Sequence, residues 1–67
     1  MPAGDLRGAI LATLMEATFA AAASGDVETA RVAHEAAGKL LARIEGPAVE
    51  AARVAHEAAG KMLASLP

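Results

Sequence analysis

The chain has 67 residues, a net charge of −2, one aromatic residue (Phe19) and no cysteine. A single domain of this length buries only about 60% of its unfolded surface, and without cysteine neither disulfides nor thiolate metal ligands can strengthen it. The charge and composition exclude the basic surfaces and aromatic platforms typical of nucleic-acid binding. The lack of cysteine suits the reducing cytosol, so we expect a cytoplasmic protein.

The first predicted element is a helix from about Leu6 to Ala23, with Asp5 as its N-cap and Gly25 as its stop. Apolar side chains cover more than half of its circumference, a pattern typical of a helix in the middle of an assembly. Glu16 interrupts the apolar run, which argues against a membrane span and against a secretory signal. We therefore expect an interface with a second chain at or near Leu6, Ile10, Leu14 and Phe19.

Two further helices follow. The second is predicted from about Val27 to Glu45, with Asp26 as its N-cap. Gly46-Pro47 then breaks the chain, and the third helix is predicted from about Ala48 to Leu66. No segment alternates as a strand does, so the sequence predicts an all-α fold of three helices that assembles into a helical bundle oligomer.

The third helix is a near copy of the second, displaced by 22 residues. Such a match indicates tandem duplication, natural or engineered. If packing was copied with sequence, Ala37 and Ala59 should be equally buried, as should Leu41 and Leu63. The copies differ at four positions: Thr29/Ala51, Leu40/Met62, Arg43/Ser65 and Ile44/Leu66. The predicted apolar face of the second helix is Ala30, Ala33, Ala37, Leu40, Leu41 and Ile44, repeated in the third as Ala52, Ala55, Ala59, Met62, Leu63 and Leu66.

Each copy carries one histidine in the segment HEAAGK. The segment begins like the zinc-protease motif H-E-x-x-H, but Gly38 and Gly60 stand where the second ligand belongs. If the two helices fold back antiparallel, His34 and His56 lie on the same side, offset by about 4.5 Å along the axis. We interpret them as part of a packing surface, with each glycine leaving a notch for close approach.

No constellation of catalytic residues stands out, so the sequence predicts neither an enzyme nor a cofactor. The predicted function is a self-associating helical bundle module with a structural or protein-interaction role. Its expected partner is a second copy of itself or another helical protein, and neither nucleic acid nor membrane. The alternative is a metal- or small-ligand-binding bundle that uses His34 and His56.

Overall fold

The computed structural model describes residues 3–67, which form three α-helices and no strand. They are α1 (Ala3–Ala23), α2 (Val27–Leu41) and α3 (Val49–Ser65). The predicted all-α fold of three helices is thereby confirmed. α1 and α2 form a hairpin with the most extensive helix–helix packing, and α3 folds back against α2.

A tight turn joins α1 to α2. Gly25 has a φ of +85°, a left-handed conformation that glycine adopts without strain. The backbone N–H of Asp26 donates to the Ala21 carbonyl (2.9 Å), and that of Gly25 donates to the Ala22 carbonyl (3.1 Å), which caps the end of α1. The Asp26 carboxylate then accepts from the hydroxyl and N–H of Thr29, and these bonds lower the pKa of Asp26. The predicted stop at Gly25 and the predicted N-cap Asp26 are confirmed.

The second helix ends earlier than the sequence suggests. α2 stops at Leu41 rather than near Glu45, because the backbone tightens into three-residue turns such as the bond from the Ile44 N–H to the Leu41 carbonyl. Gly46 has a φ of +124°, and Pro47 disfavours helical geometry in the residue before it. Residues 42–48 are therefore a linker between the two copies.

The other predicted ends lie within a few residues of those observed. α1 begins at Ala3, so Asp5 lies inside the helix and is not the N-cap that the sequence suggested. At the start of α3, Ala48 makes no side-chain capping bond, because the second copy lacks the aspartate of the first.

The core is small and centres on the α1–α2 hairpin. Leu11 packs with Ala37 and Leu41. Thr18 is completely buried, and its hydroxyl donates to the Leu14 carbonyl (2.8 Å), so no polar group is left unpaired there. Partly buried side chains from all three helices and from the linker surround this core: Leu14, Met15, Leu40, Ile44, Val49 and Ala52.

The duplicated helices share the burial that the repeat predicts at two pairs of positions. Ala37 and Ala59 expose 0% and 1% of their surface. Leu41 and Leu63 expose 5% and 4%. The prediction that these pairs are equally buried is confirmed.

The correspondence fails on one flank of the two helices. Ala33 is buried in α2, whereas its equivalent Ala55 is exposed in α3, so the expectation of a buried Ala55 is wrong. Ala30 and Ala52 differ in the same direction. The reason is that α1 packs mainly on α2, and no described helix covers the equivalent flank of α3.

Candidate functional site

The two histidines of the repeat meet between α2 and α3. The rings of His34 and His56 are stacked, with their centroids 3.8 Å apart and their planes within 5° of parallel. Both residues are half-buried. The prediction that the two copies bring their histidines into one neighbourhood is confirmed.

Each ring also bonds to the backbone of the other helix. Nε2 of His34 lies 2.9 Å from the carbonyl oxygen of His56, and Nε2 of His56 lies 2.9 Å from the carbonyl oxygen of His34. A carbonyl oxygen only accepts hydrogen bonds, so each ring donates through a protonated Nε2. Two side-chain bonds thus cross between the helices at the place where the rings stack.

The glycine one turn after each histidine makes room for the histidine of the other copy. A Cβ placed on Gly38 would lie 3.0 Å from Cε1 of His56, and one on Gly60 would lie 3.2 Å from Cε1 of His34. Both distances are tighter than ordinary van der Waals contact. The notch that the sequence suggested therefore seats the imidazole of the opposite helix.

These contacts are reciprocal, so an approximate twofold axis relates α2 to α3. We call this contact surface the seam. We assign its residues from helical periodicity. The α2 side comprises Val27, Ala30, His34, Ala37, Gly38 and Leu41. The α3 side comprises Val49, Ala52, His56, Ala59, Gly60 and Leu63.

Alanine substitutions at three helical glycines should separate the notch from ordinary helix propensity. Gly8 of α1 has open space around it, so Gly8→Ala should raise the free energy of unfolding by about 0.5–1 kcal/mol. Gly38→Ala and Gly60→Ala should lose this gain, because the opposing histidine is held by its stack and its hydrogen bond. Urea denaturation followed by circular dichroism measures all three, and an equal gain at each would contradict the notch.

The alternative metal site would have to be built around the two histidine rings, and one nitrogen of each ring already makes a hydrogen bond. Residues 3–67 contain no cluster of three or more histidine, aspartate, glutamate or cysteine residues arranged to hold a metal, and they enclose no pocket. Each Nε2 of His34 and His56 already donates to a carbonyl, which leaves Nδ1 as the nitrogen with a free lone pair in each neutral ring. A zinc ion would need additional ligands from outside this pair.

The four residues predicted at an interface lie around α1, and three of them are exposed. Leu6, Ile10 and Phe19 leave 53%, 45% and 46% of their surface accessible, whereas Leu14 is half-buried against the core. Leu6 and Ile10 are one turn apart and share a flank of α1. Phe19 projects from the opposite flank, nine residues and half a rotation from Ile10.

α1 is strongly apolar, yet few of its residues are buried. Its segment Leu6–Ala23 is long and apolar enough to cross a membrane by length and composition alone, and 11% of those residues are buried. The expectation that the chain has no membrane partner stays a prediction.

Comparison with known proteins identifies no relative: no family model, no curated protein and no solved structure matches this chain.

Proposed function

We propose that this chain is a self-associating helical bundle module with a structural or protein-interaction role, and that its partner is a second copy of itself. The main support is the exposed apolar side of α1, where Leu6 and Ile10 form one patch. The chain has a small, alanine-rich core, and oligomerisation is a usual way for so short a fold to bury more surface.

Leu6 and Ile10 still have 53% and 45% of their surface available for burial in an interface. Fully burying a leucine, isoleucine or phenylalanine side chain contributes about 1.5–3 kcal/mol. When two copies meet through the same patch, they form a closed twofold dimer, and each copy contributes its own Leu6 and Ile10 to the buried surface. Leu6 and Ile10 are proposed at the centre of this dimer, and Phe19 at a separate contact on the opposite flank.

A matched pair of lysine substitutions tests whether α1 forms the interface. Ile10→Lys should lower the mass in sedimentation equilibrium below that of the parent protein, because it places a charge inside the apolar contact. Val54→Lys makes a similar change at a residue of α3 that is 66% exposed, and it should leave the association intact. Equal effects of both substitutions, or none from Ile10→Lys, would contradict an interface on this flank.

Binding to phospholipid vesicles tests whether lipid, rather than a second copy of the chain, covers the exposed side of α1. The self-associating protein should remain in the supernatant when it is centrifuged with neutral or anionic vesicles. A monomer that pellets with vesicles, and that Ile10→Lys releases, would show that lipid covers α1 and would contradict the proposal.

A further inference from the structure

The seam has the same residues on both of its sides. Within the helices α2 and α3, the two copies differ only at Thr29/Ala51 and Leu40/Met62. On a helical wheel both differences lie outside the seam: Leu40 packs against the core, and Thr29 is exposed. Each surface thus meets a copy of itself, which is the defining property of the isologous interfaces found in twofold dimers.

We propose that the seam surface of α2 is a homodimerisation site whose partner is the same surface in a second copy of this chain, and that α3 covers it within the monomer. In the dimer, His34 stacks on the partner's His34, and the notch at Gly38 receives that ring. This assembly goes beyond the association proposed above, because it uses α2 and does not require α1.

The geometry of the covered seam supports this partner. Every contact that a second α2 needs is already made by α3: the stacked rings, two bonds of 2.9 Å to histidine carbonyls, and both glycine notches. The polar groups are therefore satisfied in the dimer as they are in the monomer. Residues 42–48 hold α3 close to α2, so the effective concentration of the tethered helix favours the closed monomer.

Blocking α3 should therefore release the α2 surface to a second copy. Gly60→Leu fills the notch for His34 on α3 but leaves His34 and Gly38 unchanged on α2. Leucine is also a better helix former than glycine, so the substitution does not weaken α3 as a helix. In the full-length chain we expect Gly60→Leu to increase the sedimentation mass at least twofold over the parent protein, with helical circular dichroism retained.

The double variant Gly38→Leu/Gly60→Leu is the matched control, because it blocks both surfaces and should return the mass to that of the parent. Adding Ile10→Lys to Gly60→Leu separates this assembly from association through α1, and the increase over Ile10→Lys alone should persist. Gly60→Leu with the parental mass, or with lost helicity at high concentration, would overturn the proposal. The proposal would also be overturned if Gly38→Leu/Gly60→Leu associated as strongly as Gly60→Leu. The same holds if adding Ile10→Lys to Gly60→Leu abolished the increase in mass.

Discussion

Replacing Leu41 by alanine should lower the free energy of unfolding by about 2–5 kcal/mol, the cost of truncating a buried leucine. Leu41 is 5% exposed and packs against Leu11 and Ala37 at the centre of the core. A chain of this length has a total stability of about 3–10 kcal/mol, so the variant should be largely unfolded or melt at least about 8 °C lower. Thermal unfolding followed by circular dichroism measures the change.

Two further variants show whether the loss of stability depends on burial of the truncated side chain. Val32→Ala removes apolar atoms from a residue that is 69% exposed and should change stability by less than about 0.5 kcal/mol. Leu63→Ala truncates the copy of Leu41, which is equally buried, and should also destabilise the chain. A wild-type melt for Leu41→Ala would contradict the core described above.

Replacing both histidines by glutamine should preserve the helical fold and shift its stability by only about 0.5–3 kcal/mol. The amide of glutamine is able to donate to a carbonyl, but it does not reproduce the ring stack of His34 on His56. The two single substitutions should also couple, because each ring bonds to the backbone of the residue that carries the other. Urea denaturation of the parent, both single variants and the double variant measures this coupling, and strict additivity would contradict it.

Zinc titration of the same four proteins tests the alternative function. The parent should gain little in melting temperature, because each ring offers only its Nδ1 and residues 3–67 hold no cluster of three or more potential ligands to complete a site. A strong zinc-dependent rise that disappears in the double variant would contradict the packing interpretation. It would make His34 and His56 the centre of a metal site.

The repeat made part of the fold and the site predictable from sequence. Two copies of one amphipathic helix, joined by Gly46-Pro47, fold back on each other and bring equivalent residues to one place. This explains why the meeting of His34 and His56, and the equal burial of Leu41 and Leu63, followed from the sequence alone.

Other features depended on tertiary packing that the repeat does not encode. The sequence indicated a notch beside each histidine, but the close approach of Gly38 to His56 depends on the register between α2 and α3. The exposure of Ala55 could not be read from its copy Ala33, because there is one α1 for two equivalent flanks. Helical periodicity alone also did not reveal that Leu14 joins the core of its own chain.

Light scattering of the parent protein over a wide range of concentrations tests self-association most directly. We expect a mass of at least twice 6.7 kDa, with a melting temperature that rises with concentration because association favours the folded chain by mass action. A mass of 6.7 kDa at every concentration, together with a melt that does not depend on concentration, would contradict a self-associating module.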